Sequence, residues 1–319
     1  MSLLSQKHLQ DEEAAYAWVE AQVWPEGPVC PHCGETHRVS KMQGKATRLG
    51  LYKCYACRKQ FRVTVGTIFE KSHVPLRLWL QAFYLIAGSK KGISSNQLHR
   101  TLGVTLKTAW FMGHRIREAM RAGSLAPPMG GEGSVVEIDE TIYGRADTHP
   151  KGRRRKSWKI TNSAHKNVIL SLVQRGGEVR SYHVAGSTVS EVIPIVERNV
   201  DIETAVMTDS AALYKFRLVD YRSHGRVDHS SGEYVRRVAG RPIIHTNTVE
   251  GYFALFKRGM RGVYQHCKEK HLHRYLAEFD FRYNNRVGLG VNDEQRAVRM
   301  VQGVVGKRLT YRTTGRVGA

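Results

Sequence analysis

Apolar and polar residues follow two different rhythms along the chain. Residues 134–143 alternate as a strand, which places Val136 and Ile138 on one face and Glu137, Asp139 and Thr141 on the other. Residues 167–174 and 178–185 predict two more strands, with Arg175, Gly176 and Gly177 as the hairpin turn between them. An amphipathic helix is expected over 189–199, then a short strand over 204–208 that ends on Asp209. Helical spacing returns over 245–259, where Val249, Phe253 and Phe256 form one apolar face.

The earlier part of the chain follows the helical rhythm. Leu76, Trp79, Leu80, Phe83 and Ile86 predict an apolar helix that ends near Gly88. Over 93–122 a Ser cap opens one helix, Gly103 breaks it, and Thr105 caps a second. That break and restart reads as a helix-turn-helix whose second helix offers Lys107, Thr108, Arg115 and Arg117 to DNA. Residues 124–133, rich in Pro and Gly, lack any period and mark a linker.

The cysteines add a metal. Cys30-Pro31-His32-Cys33 and Cys54-Tyr55-Ala56-Cys57 are two CxxC knuckles spaced to wrap one structural Zn²⁺ in a closed four-thiolate shell. Short strand-like runs at 51–53 and 60–65 complete a zinc ribbon, a unit too poor in core to fold without its metal. Cys267 stands apart and reads as an ordinary thiol.

Charge narrows the partner. The 319 residues carry 50 Lys and Arg against 28 Asp and Glu, a formal charge of +22 that points to a polyanion, most simply nucleic acid. Residues 1–29 are acidic, residues 30–130 hold 17 basic against three acidic residues, and the remainder mixes both signs. The first long stretch therefore reads as a binding module, and the second as a domain in which particular acids have a task. Residues 151–156, with Arg153, Arg154, Arg155 and Lys156, are a candidate clamp on phosphates. The N-terminus turns acidic before a signal-peptide run develops, and no apolar run approaches a membrane span, so a cytoplasmic chain without membrane contact is expected.

The strand order and the placement of acids on the first strand and beyond the last define the layout of an RNase H-like mixed α/β sheet. Asp139, Asp209 and a helical Glu250 can converge on two Mg²⁺ or Mn²⁺ ions, the arrangement suited to in-line displacement at a phosphodiester. Taken singly, Glu137 and Glu140 read as surface charges, and His224 and His229 as polar loop residues.

At these residues the chain resembles the zinc-ribbon group of bacterial insertion-sequence transposases, DDE enzymes with an RNase H-like core. The likeness is carried by 136–144 (Val-Glu-Ile-Asp-Glu-Thr-Ile-Tyr-Gly), 208–214, 245–259 (His-Thr-Asn-Thr-Val-Glu-Gly-Tyr-Phe-Ala-Leu-Phe-Lys-Arg-Gly) and 274–286. It implies Asp139 and Asp209 as the first two metal ligands and Glu250 as the third, with Asn247 the alternative one turn earlier. It also implies that Lys257, with its neighbour Arg258, contacts the DNA backbone. Activity would be DNA cleavage and strand transfer on terminal inverted repeats and target DNA, in a homodimer or larger synaptic assembly at the bacterial nucleoid. A zinc-containing DNA-binding regulator with an inactive core, or a nuclease or resolvase on the same fold, are the alternatives. The expected organisation is an N-terminal helix plus ribbon over 1–66, a helix-turn-helix-like domain over 67–123, a linker over 124–133, the catalytic domain over 134–300 and a basic tail over 301–319.

Overall fold

A computed structural model describes residues 5–123, 126–144 and 166–310. The chain divides into two compact units, one of residues 1–121 and 291–319, the other of residues 122–290.

In the first unit, α1 (Lys7–Gln10) and α2 (Glu12–Val23) precede a three-stranded antiparallel ribbon of β1 (Val39–Lys41), β2 (Tyr52–Cys54) and β3 (Gln60–Phe61). Behind its strands Tyr52 stacks on Phe61 and Trp24 meets both rings edge-on, with ring centroids 5.4–5.8 Å apart. So small a core leaves the metal ligands to hold the ribbon together.

Next come α3 (Leu76–Ala87), α4 (Ser95–Leu102) and α5 (Leu106–Met120). The expected caps are in place. Ser94 accepts from the Gln97 amide, Thr105 accepts from the Thr108 amide at 3.1 Å, and Gly103 takes φ +67° between the two helices. A side chain at position 103 would strain that left-handed turn.

Two expectations are corrected in this unit. Arg115 is not offered to DNA: its Nη1 donates to Ile68 O at 2.6 Å and Glu70 O at 3.1 Å, and its Nε donates to Leu309 O at 2.9 Å. Arg117 is likewise buried, packed against Gly113. Charge alone suggested that both are exposed, whereas residues 112–120 of α5 are buried on every side. Lys107 and Thr108 lie on the first turn of α5, Lys107 exposed and Thr108 half-buried.

The C-terminal segment is the second correction. Helix α9 (Asp293–Gln302), opened by an Asn292–Gln295 capping box, packs on α2, α3 and α5 in the first unit rather than closing the catalytic domain at residue 300. Arg296 donates to Ala87 O at 2.8 Å. Nor are residues 301–309 a loose tail: Val301 and Val304 are fully buried, Lys307 donates to Ala119 O and Arg121 O, and Arg308 pairs with Glu70. Arg312 and Arg316 lie outside the described residues, as do Arg153, Arg154, Arg155 and Lys156.

The second unit is built on a mixed five-stranded sheet in the order β6-β5-β4-β7-β8. Its strands are β4 (Val135–Tyr143), β5 (Asn167–Gln174), β6 (Val179–Val184), β7 (Ala205–Asp209) and β8 (Ser223–Val227). β4 runs antiparallel to β5 and parallel to β7, and β8 extends the parallel edge. Sequence pattern did not reveal β8, because Ser-His-Gly-Arg-Val has no apolar alternation. Gly225 lets it approach, since a Cβ there would stand 2.5 Å from the Met207 sulfur.

The two faces of the sheet have separate cores. Val136 and Ile138 pack with Leu170, Leu172, Val206 and Val192 and Val196 of α6 (Val189–Asn199). On the opposite face, Ile169, Val173 and Val179 pack with α7 (Asn247–Gly259) and α8 (Leu272–Asn284) through Val249, Phe253, Phe256, Leu276 and Phe279. The alternation along β4 thus delivers Glu137 and Asp139 to the face that α7 covers, as its period of two requires.

Candidate functional site

The four cysteines of the ribbon come together. Cys30 Sγ and Cys57 Sγ lie 3.7 Å apart, as do Cys33 Sγ and Cys54 Sγ, and all four sulfurs fall within 4.8 Å of one another. A disulfide would bring sulfurs to about 2 Å. A tetrahedron with Zn–S bonds of about 2.3 Å has an edge of about 3.8 Å, so the separation fits one zinc shared by four thiolates.

The second site lies on the parallel part of the sheet. β4 and β7 pair in register through Glu137 and Met207, and two residues further along each strand are Asp139 and Asp209. Both therefore stand on neighbouring strands and the same face. Each carboxylate is held locally, with Asp139 Oδ1 accepting from the Glu140 amide at 2.7 Å and Asp209 Oδ1 from the Ala211 amide at 3.0 Å. Burial pushes Asp139 up to about 8, and the negative charges of Glu140, Asp209 and Glu250 add to the shift. A carboxylate so crowded by like charge is stabilised by a cation, and an all-oxygen donor set suits Mg²⁺ or Mn²⁺.

Helix α7 brings the remaining predicted residues. Asn247 and Glu250 lie in its first turn, where Glu250 Oε1 accepts from Thr246 Oγ1 at 2.9 Å and approaches His229 Nε2 at 3.3 Å. His229 in turn meets Thr246 Oγ1 at 3.0 Å. Asp139, Asp209 and Glu250 are close enough for their charges to interact, but as a set their carboxylate oxygens do not close to within 4.8 Å. Glu250 is directed instead to its threonine and histidine neighbours. Two turns on, Lys257 is half-buried: burial and Arg261 lower its ammonium, Asp139 raises it, and Lys166 lowers it further. Arg258 is exposed and donates to Ala254 O at 3.1 Å.

Several groups here escaped the sequence pattern. Glu140 projects to the α6 face, where Tyr214 OH donates to it at 2.5 Å and burial raises its carboxyl to about 7. His224 meets Thr208 Oγ1 at 2.8 Å, and burial and Arg226 depress its imidazole to about 4. Asp280 of α8 accepts from the Ser181 amide, Ser181 Oγ and Tyr252 OH, and Ser171, the cross-strand partner of Asp139, bonds to Ser181. Period alone gives no sign of these contacts, which join distant segments.

A mixed sheet with paired acids on adjacent parallel strands, a covering helix with a third, and a separate four-thiol ribbon define a class: proteins of RNase H-like fold with a zinc-binding module. The comparisons specify the family. Residues 10–60 match the transposase zinc-ribbon domain, and residues 130–284 match the ISXO2-like transposase domain of the DDE type. The chain belongs to the zinc-ribbon DDE transposases. It is also 29% identical over 271 residues to an uncharacterized protein in transposable element ISH50 of Halobacterium salinarum, a match covering 81% of this chain and 86% of that relative. Among the described residues, no helix is long and apolar enough to cross a membrane.

Proposed function

We propose that this protein is the DNA transposase of a bacterial insertion sequence, cutting element ends and joining them to target DNA. The observation that carries the reading is the apposition of Asp139 and Asp209 on adjacent strands, with Glu250 near enough to raise Asp139 further. Asp139, Asp209 and Glu250 would hold a pair of divalent cations, with Asn247 beside them on the same turn. Such ions, when bound, activate an attacking water or 3′-hydroxyl and stabilise the leaving oxygen. Lys257, whose ammonium feels the Asp139 charge, and Arg258 would hold the DNA backbone beside the reacting phosphate.

The ribbon and the first turn of α5, with Lys107 and Thr108, would recognise the terminal inverted repeats. Two ends must be processed together, so a homodimer or larger assembly is the working form. The domain organisation is proposed as a zinc-ribbon and helical unit that binds ends, joined near residue 122 to a catalytic unit that ends near residue 290.

The test incubates purified, zinc-loaded protein with Mg²⁺, candidate element ends and target DNA. Joined products that vanish on Asp139→Ala support the reading. Tight DNA binding without Mg²⁺-dependent nicking would identify a regulator, and cleavage without joining a nuclease or resolvase. Joining that survives Asp139→Ala would overturn the assignment of the site.

A further inference from the structure

Glu137 lies two residues before Asp139 on the same face of β4, and its side chain is fully buried. Its Oε2 accepts from the backbone amides of Thr248 at 2.7 Å and Val249 at 3.0 Å. Its Oε1 accepts from Thr248 Oγ1 at 2.8 Å and Arg175 Nε at 2.6 Å, and lies 3.1 Å from His245 Nδ1. The two amides it holds sit between Asn247 and Glu250 in the chain, in the first turn of α7.

Arg175, in the turn between β5 and β6, completes the arrangement. While Nε meets Glu137, Nη1 donates to Ile243 O at 2.6 Å and Nη2 to His245 O at 2.9 Å. One guanidinium therefore fastens the carboxylate of β4 and two carbonyls of the segment entering α7, a three-point contact that Lys cannot reproduce.

We infer that Glu137 and Arg175 form a positioning latch, fixing the first turn of α7 against β4 and thereby setting how tightly the acidic site takes a divalent cation. A helix start needs its free amides satisfied, but a local Ser, Thr or Asp does that routinely. Here the acceptor is supplied from the strand that carries Asp139, at a fixed spacing of two residues. The latch ties the two parts of the site to each other, as outer-sphere contacts do for ligands around a metal. A buried carboxylate with five partners is also stiff, because moving the helix would strand its charge. Glu137 and Arg175 touch no substrate in this scheme; they act through Asp139 on one side and through Asn247 and Glu250 on the other.

This inference rests on the proposed transposase site, and the experiment separates the two. Mn²⁺ binding to the full-length, zinc-loaded chain is measured by the electron paramagnetic resonance signal of free Mn²⁺, alongside thermal unfolding and end joining. Glu137→Gln should weaken Mn²⁺ binding by roughly 10- to 100-fold. Arg175→Lys and Thr248→Val should weaken it less, and raised Mn²⁺ should restore joining to all three but not to Asp139→Ala. Binding of element ends in Mn²⁺-free buffer should not change. If Glu137→Gln fails to fold, Arg175→Lys and Thr248→Val carry the test by the same readout. Loss of thermal stability with wild-type Mn²⁺ affinity would overturn the latch and leave only a helix cap. A wild-type chain that binds no Mn²⁺ beyond its ribbon would overturn the catalytic reading, and the latch with it.

Discussion

Asp139 and Asp209 stand on adjacent parallel strands, each two residues beyond the Glu137–Met207 pair, and Asp209 is one of the charges that lift the Asp139 carboxyl to about 8. The folded value lies above the ordinary 3.8, so the folded state holds this proton more tightly than the unfolded state. Its contribution to stability is fully present below about pH 4 and is lost as pH rises through about 8. Protein that keeps its zinc but lacks Mg²⁺ should therefore melt at a lower temperature at pH 8.5 than at pH 6, with Glu140 adding in the same direction. Asp139→Asn should flatten that slope, and saturating Mg²⁺ should reduce it by replacing the proton. Calorimetric melting across pH checks this; an Asp139→Asn slope equal to wild type would refute it.

Arg115 and Lys107 lie on the same helix and should respond in opposite ways. Removing Arg115 leaves the carbonyls of Ile68, Glu70 and Leu309 without their guanidinium donor inside the first unit. Arg115→Ala should lower stability by about 3 kcal/mol, read as a shift in the urea midpoint. Lys107, exposed in the first turn of α5, should cost far less stability than Arg115 when changed to Ala. Its loss should reduce the slope of log affinity for DNA against log salt by about 1.

How far the sequence could be read follows from where the physical cause of each feature lies. Features fixed within a few residues were legible: the two CxxC knuckles, the caps at Ser94 and Thr105, the turn at Gly103, and the alternation that puts Val136 on one face of β4 and Asp139 on the other. Features fixed by remote partners were not. Arg115 looks like part of a basic recognition surface until the distant carbonyls of Ile68, Glu70 and Leu309 appear around it. Glu137 reads as a surface charge until Arg175 and the start of α7, 38 and 111 residues away, are seen to converge on it. β8 has no pattern of its own and exists because β7 offers it a parallel edge. Helix α9 carries an ordinary amphipathic period, which says that it is buried but not against which unit.

The ribbon should depend on its metal. Elemental analysis is expected to give one zinc per chain, and Cys54→Ser, which removes a buried ligand from β2, should abolish it. Amide exchange across β1, β2 and β3 should then rise toward the unfolded rate, because the Trp24, Tyr52 and Phe61 cluster is too small to hold three short strands. Zinc-free protein with protected β2 amides would show that the ribbon stands without metal.

Glu250 and Asn247 make different predictions as third ligand. Both sit in the first turn of α7, but Glu250 is the one whose charge reaches Asp139, and its carboxylate is held at 2.9 Å by Thr246 with His229 close by. A third negative oxygen donor balances two divalent ions better than an amide, so Glu250→Gln should cost more metal affinity than Asn247→Ala. We expect Glu250→Gln to reduce joining at least 100-fold, about 2.7 kcal/mol of transition-state stabilisation, with partial recovery in Mn²⁺. Asn247→Ala should instead lose roughly 10-fold or less and keep its Mg²⁺ midpoint. The deciding measurement is single-turnover joining over a range of Mg²⁺ and Mn²⁺ concentrations for both variants. A reversed order, with Asn247→Ala inactive and Glu250→Gln near wild type, would move the third ligand one turn toward the start of α7 and leave Glu250 as the partner of His229.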